Sequence, residues 1–141
     1  MKTTIFTIIL FFSVALYATE LQIFNQNIRL IDNCKLEIQH SDGTVETKEL
    51  PFKSAGKCVI LPMSGTNVPR LEFIKSDYVF LVESQVQQDS SCRAELAAVI
   101  VSQDGKVIVG SRIQKTGTCG YGERKDYEIL HYYATKNKGK E

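Results

Sequence analysis

Several features that usually identify an enzyme or a metalloprotein are missing from this sequence. No C-x-x-C pair occurs, which argues against a thioredoxin-like redox site and makes a zinc site a weak alternative. The Met-Ser-Gly segment around Ser64 does not match the G-x-S-x-G pattern of a nucleophilic serine. His40 and His131 are the two histidines, and neither has a recognisable catalytic partner nearby in sequence. We therefore predict no catalytic residue, no bound metal, no cofactor and no enzymatic activity.

Two further absences concern compartment and partners. No Asn-x-Ser/Thr triplet occurs, so Asn-linked glycosylation is not expected. Charge of one sign is not in excess, since the chain has 17 Lys and Arg against 16 Asp and Glu. Bulk charge therefore predicts neither a nucleic-acid partner nor an anionic membrane partner.

The first 18 residues have the pattern of a signal peptide. Lys2 precedes an uncharged apolar run over residues 5–17, and Ala18 is a suitable residue at the cleavage site. An uncleaved membrane anchor is the weaker alternative, because a spanning helix needs about 20 apolar residues and Glu20 ends the run. No second long apolar segment follows. The sequence thus predicts a soluble periplasmic or secreted protein, with one β-rich domain over residues 19–135 and a flexible basic tail over residues 136–141.

The four cysteines all follow the apolar run, and an even number in a small exported domain predicts two disulfides. Two segments share the order Cys, basic residue, x, Glu, then Asp-Gly-x-Val, then Lys, Gly and Cys. The segments are residues 34–58 and 92–119. This pattern indicates an internal repeat, although the matches are short and the gaps differ. We favour the pairs Cys34–Cys58 and Cys92–Cys119 over the two other ways of joining the four cysteines.

The Asp-Gly dipeptides at residues 42–43 and 104–105 are strong signals for hairpin turns, because glycine supplies the positive φ that a type I′ turn needs. Residues 96–101 are predicted to form a buried strand. Alternation over Tyr127 to Tyr133 predicts a final strand, whereas Gln85 to Ser91 is predicted to be a loop. Together, these predicted turns and strands indicate an all-β fold, a small antiparallel sandwich or barrel with two disulfide-closed hairpins. An α+β fold with one short helix, at Val68 to Lys75, is the alternative.

One loop combines the residue types that protein interfaces favour. Residues 117–127 contain three Gly and two Tyr, together with charges of both signs, directly around Cys119. Tyr and Arg are enriched at interface hot spots, so Tyr121, Arg124 and Lys125 are our candidate binding residues. A connection whose charges pair locally is the alternative for this loop.

The sequence therefore favours a non-enzymatic binding protein with an unidentified protein partner, of the inhibitor or immunity type. A small-ligand carrier and a subunit of a cell-envelope assembly are the alternatives.

Overall fold

The computed structural model describes residues 19–31, 34–53 and 56–136, which form two antiparallel sheets and one helix. The first sheet contains β1 (Glu20–Ile23), β2 (Gln26–Ile31), β3 (Lys35–Gln39) and β4 (Val45–Glu49). The second contains β5 (Lys57–Ile60), β6 (Glu72–Ile74), β7 (Asp77–Gln88), β8 (Ser91–Val101), β9 (Val107–Val109) and β10 (Gln114–Thr116). The helix is α1 (Arg124–Thr135). The segments predicted as signal peptide, residues 1–18, and most of the predicted tail, residues 137–141, lie outside the described residues.

The first sheet is a simple meander in the order β1-β2-β3-β4. The β1–β2 connection is a tight turn with both Phe24 and Asn25 at positive φ. Strand β3 alternates as a half-buried strand should, with Leu36 and Ile38 fully buried. Strand β4 forms an edge of the sheet and contains mainly exposed, charged side chains, which is a usual protection of an edge strand.

The second sheet is built around the long β7–β8 hairpin and has the order β10-β8-β7-β5, with β6 added on β7 and β9 on β8. Its two central strands are buried on both faces along most of their length, which explains the continuous apolar run that was predicted as a buried strand. Phe80 and Val99 face the first sheet, whereas Leu81 and Ile100 face α1. The protein therefore has three layers, in the order sheet, sheet and helix.

Two apolar clusters hold these layers together. The first lies between the sheets and includes Ile28, Leu36 and Phe80. The second lies between the second sheet and α1, where Tyr127 and Leu130 of the helix are buried. Each fully buried side chain of this size contributes about 1.5–3 kcal/mol through removal from water, so both clusters are substantial.

Both disulfides have the predicted partners. Cys34 is bonded to Cys58, and Cys92 is bonded to Cys119. Formed disulfides indicate an oxidising compartment. The prediction of a mostly β, antiparallel fold closed by two disulfides is confirmed.

Two local predictions were wrong. Residues 127–133 form part of α1 and not a strand, because Tyr127, Leu130 and His131 recur at the spacing of a helix and form its buried face. A reciprocal capping box between Glu123 and Asp126 starts the helix. The one helix of the alternative fold therefore exists at the end of the chain, while residues 72–74 of its predicted position form β6.

The second wrong prediction concerns Gln85 to Ser91. Here β7 and β8 continue to a two-residue turn at Asp89 and Ser90, so the segment is mainly strand. Its polar composition reflects exposure near the end of the hairpin rather than loop structure.

Candidate functional site

The three candidate binding residues lie where the chain passes from the second disulfide into α1. Tyr121 is 57% exposed in the connecting loop, and Arg124 and Lys125 form the first turn of the helix. Their charges have local partners. Lys125 Nζ lies 2.9 Å from Glu123 Oε2, and the Tyr121 hydroxyl donates to Glu123 at 3.1 Å. These contacts correspond to the local pairing that we considered as the alternative for this loop.

Arg124 also connects α1 to the second sheet. Its Nη1 lies 2.7 Å from Glu72 Oε2 on β6, and its Nε lies 3.0 Å from Glu128 Oε1 one helical turn further on. Glu72 in turn pairs with Arg70, whose Nη1 donates to the carbonyl oxygen of Gly122 at 2.7 Å. This network fixes the start of the helix against β6.

A buried carboxylate of the second sheet is hydrogen-bonded to the loop that precedes α1. Glu83 on β7 is fully buried and accepts the backbone N–H of Gly120, which lies 2.8 and 2.9 Å from its two oxygens. The side-chain amide of Gln85 donates to the same carboxylate at 2.5 Å. Burial raises the pKa of Glu83, and the two amide donors oppose that rise. With the Cys92–Cys119 bond, Glu83 attaches the loop to the central strands.

A cavity of about 420 Å³ lies beside this anchored segment, between α1 and the β6–β7 turn. We name the surface around it the α1–β6 face and define it by Phe73, Lys75, Arg124, Glu128 and Tyr132. Two of its aromatic side chains project into solvent, since Phe73 is 54% and Tyr132 is 57% exposed. An apolar face flanked by charges of both signs is typical of a surface that contacts another protein.

Aromatic packing extends this face toward the first sheet. The ring centroids of Phe73 and Tyr78 are 5.2 Å apart, and those of Phe24 and Tyr78 are 5.5 Å apart. Such pairs add about 0.5–1.5 kcal/mol beyond their buried area. The pairing restrains the exposed rings, so that Phe73 is held at the surface by its neighbours.

Sequence reasoning missed Phe73 and Tyr132 as surface residues. The spacing of Arg124, Glu128 and Tyr132 at i, i+4 and i+8 would have placed them in one row had the segment been recognised as a helix. The exposure of Phe73 had no such signal, because alternation in a strand does not indicate which face is covered.

Each histidine has a carboxylate partner. His131 Nε2 lies 2.8 Å from Asp77 Oδ2 in a nearly buried contact, and His40 Nε2 lies 3.2 Å from Glu46 Oε2 at the surface. Among the described residues, no hydroxyl or thiol side chain is hydrogen-bonded to either imidazole. The His131 contact joins the inner face of α1 to the start of β7.

A second cavity, of about 620 Å³, lies at the end of the molecule where the two Asp-Gly turns meet. His40 and Asp42 from the first turn and Asp104 and Lys106 from the second line it. Asp42 accepts the backbone N–H of Thr44, and Asp104 accepts that of Lys106, so both carboxylates stabilise their own turns. Within residues 19–31, 34–53 and 56–136, no group of three or more side chains is placed to hold a metal ion.

Comparison of the chain with protein-family models, with curated proteins and with solved structures finds no match in any of the three. In the part of the chain that the structure describes, no helix has the length and apolar character needed to cross a membrane. What these observations define is a disulfide-bonded, mostly β protein of three layers with an exposed aromatic face beside its helix.

Proposed function

We propose that this chain is an exported, non-enzymatic binding protein that contacts another protein through the α1–β6 face. The observation that carries the proposal is the exposure of Phe73 and Tyr132 next to Arg124 on a well-anchored part of the fold. An inhibitor or an immunity-type protein is the class that fits a small, neutral domain of this kind. The periplasm or the extracellular space is the compartment that the predicted signal peptide and the two disulfides support.

The residue types of the face support a protein partner. Tyrosine and arginine carry much of the binding energy at protein interfaces, and exposed aromatic rings supply contact area at a low cost in conformational entropy. Here the Arg124 guanidinium is held between Glu72 and Glu128, so the direction of its remaining N–H donors is already fixed. Binding of a partner carboxylate or carbonyl group would therefore cost little further side-chain conformational entropy.

Anchoring of the face favours binding for the same reason. The Cys92–Cys119 bond, the Glu83 contact to Gly120 and the His131–Asp77 contact all restrain the segment that leads into α1 or the helix itself. A rigid surface lowers the entropy cost of association, because about 0.5–1.5 kcal/mol is saved for each side chain that is already held in its bound position.

The alternatives have less support. A small-ligand carrier would need an apolar cavity between its layers, whereas buried side chains fill the spaces on both sides of the second sheet. An assembly subunit that joins neighbours by strand pairing would need an accessible edge, and at β4, one edge of the first sheet, Glu46, Lys48 and Glu49 oppose such pairing.

Affinity capture with oxidised residues 19–141 as bait tests the proposal, using periplasmic and extracellular extracts and mass spectrometry. We expect one partner in stoichiometric amount. A bait with Phe73→Ser and Tyr132→Ser should lose it, and a bait with Tyr121→Ala and Arg124→Ala should retain at most a small fraction. A Val45→Ser bait is the matched control, because Val45 is 56% exposed on β4 and its substitution leaves the α1–β6 face unchanged.

Retention of the same partner by the Phe73→Ser/Tyr132→Ser bait would show that binding occurs elsewhere. Circular dichroism and the thermal midpoint of each bait distinguish loss of binding from loss of folding. Capture of no protein from any extract would refute the proposal and return attention to a ligand carrier or an enzyme.

A further inference from the structure

A third cavity, of about 670 Å³, lies on the second sheet away from the α1–β6 face. Residues of β7, β8 and β10 line it together with the segment after the first sheet. The lining residues are Lys53, Val86, Arg93, Ala94, Glu95, Lys115, Thr116 and Gly117. We name this cavity the basic groove.

The register of the strands explains how the groove forms. Val86 pairs with Arg93, and Glu95 pairs with Lys115, so these four side chains project from the same face of the sheet. That face is the one that packs on the first sheet near Phe80 and Val99. The four residues lie near the turn of the β7–β8 hairpin, outside the apolar cluster between the two sheets. Arg93 and Lys115 are exposed there.

The charges of the groove are unequal. Lys53, Arg93 and Lys115 supply three positive charges, and Glu95 supplies one negative charge. The chain as a whole is close to neutral, with 17 basic and 16 acidic side chains, so the groove is more basic than the chain average. Val86, whose side chain projects from the same face as Arg93, adds an apolar surface beside the cations.

We propose that the basic groove binds an acidic, extended polypeptide segment of a partner protein. Charge complementarity selects carboxylates, and the Val86 side chain favours a chain whose acidic residues are separated by aliphatic ones. A densely sulfated or phosphorylated polymer fits less well, because it offers no aliphatic side chain to pack on Val86. The Cys92–Cys119 bond, one residue from Arg93 and three from Thr116, keeps the walls of the groove in place.

Fluorescence anisotropy with the oxidised protein tests this site. The probe is a fluorescein-labelled peptide of eight residues that alternates glutamate with valine, and a labelled lysine–valine peptide is its control. We expect binding of the acidic peptide alone, with affinity falling as salt increases. Arg93→Gln and Lys115→Gln should each weaken binding roughly two- to fivefold, because an exposed ion pair contributes about 0.2–1 kcal/mol, and the double variant should weaken it roughly tenfold.

Two controls show whether position matters as well as charge. Lys106→Gln removes an exposed cation at the opposite, Asp-Gly end of the molecule and should leave binding unchanged. Arg93→Lys with Lys115→Arg keeps both charges and should retain most of the affinity. Equal weakening by Lys106→Gln would overturn the proposal, since it would indicate diffuse electrostatic attraction.

Two other outcomes would also overturn it. One is the absence of measurable binding of the acidic peptide at low salt. The other is displacement of that peptide by an equimolar heparin oligosaccharide, which would assign the groove to a sulfated polymer. This site is independent of the α1–β6 face, and the Phe73→Ser/Tyr132→Ser variant should bind the peptide as the unmodified protein does.

Discussion

The two disulfide-closed segments, residues 34–58 and 92–119, have nearly the same turn in very different surroundings. In the first segment, the backbone N–H of His40 donates to the carbonyl oxygen of Thr44 at 2.9 Å across the Asp-Gly turn. In the second, the backbone N–H of Ser102 donates to the carbonyl oxygen of Lys106 at 3.0 Å. The turn glycines have φ of 88° and 82°. Yet the first turn leads into the exposed edge strand β4, and the second closes the deeply buried β8.

The comparison separates what is local from what is not. The turn geometry follows from Asp and Gly alone, since Asp accepts the N–H two residues on and Gly accepts positive φ. Burial depends on which layer covers the strand, and among the described residues only the second sheet is covered on both faces. Substitutions at matched positions of the two segments should therefore have different effects.

The largest expected effect is loss of a disulfide. Replacing both cysteines of either pair by alanine should lower the free energy of unfolding by about 3–4 kcal/mol, because the two closed loops are of similar length. The Cys34–Cys58 pair should cost more than the other, since Cys34 and Cys58 also pack against the core between the sheets. Urea unfolding of the two double variants measures this difference, and a larger loss for Cys92–Cys119 would contradict it.

A smaller effect is expected at the glycine two residues before the second cysteine of each segment. A methyl group at Gly56 would collide with the carbonyl oxygen of Gln85 and lie 2.7 Å from Ser84 Oγ, whereas at Gly117 it would meet nothing within 4 Å. Gly56→Ala should therefore destabilise the protein by about 1–3 kcal/mol. Gly117→Ala should be neutral to within about 0.5 kcal/mol. Thermal unfolding provides the measurement, and equal shifts in midpoint would be inconsistent with this packing.

The smallest effect is a difference in pH dependence between two carboxyl groups. Burial raises the pKa of Glu83 above its ordinary 4.5, so the folded protein binds more protons there and loses stability as pH rises through the raised pKa. Hydrogen bonding from Lys48, then His40, lowers the pKa of Glu46, whose contribution is instead lost as pH falls below 4.5.

Chemical unfolding at a series of pH values checks these signs. Glu83→Gln should remove part of the decline in stability above pH 4.5, and Glu46→Gln should remove part of the decline below it. A Glu83→Gln variant with the same pH profile as the unmodified protein would show that Glu83 titrates normally in the folded state.

Much of the fold could be predicted because its signals are local. Asp-Gly turns, the apolar run at Leu96 to Val101 and the cysteine order led to the β content and to both disulfides. The helix was missed because Tyr127, Ile129, His131 and Tyr133 satisfy a period of two, so the segment also fits a strand. The capping residues Glu123 and Asp126 and the helical spacing of Tyr127 and Leu130 favour the helix.

The candidate site was harder to predict, since it depends on contacts between distant parts of the chain. Arg124 was identified by residue type, but its position is set by Glu72, which is 52 residues away. Glu83 was not identified at all, because a single Glu in a strand gives no sign that it will be buried beneath a loop. Phe73 becomes part of the α1–β6 face only when β6 and α1 pack together.

Hydrogen–deuterium exchange of the protein with and without its captured partner tests the central claim most directly. If the α1–β6 face is the contact surface, peptides covering residues 72–75 and 120–133 should exchange more slowly in the complex, and peptides covering β4 should exchange at the same rate in both states. Slower exchange confined to β4 or to the Asp-Gly turns, with residues 72–75 and 120–133 unaffected, would contradict the claim.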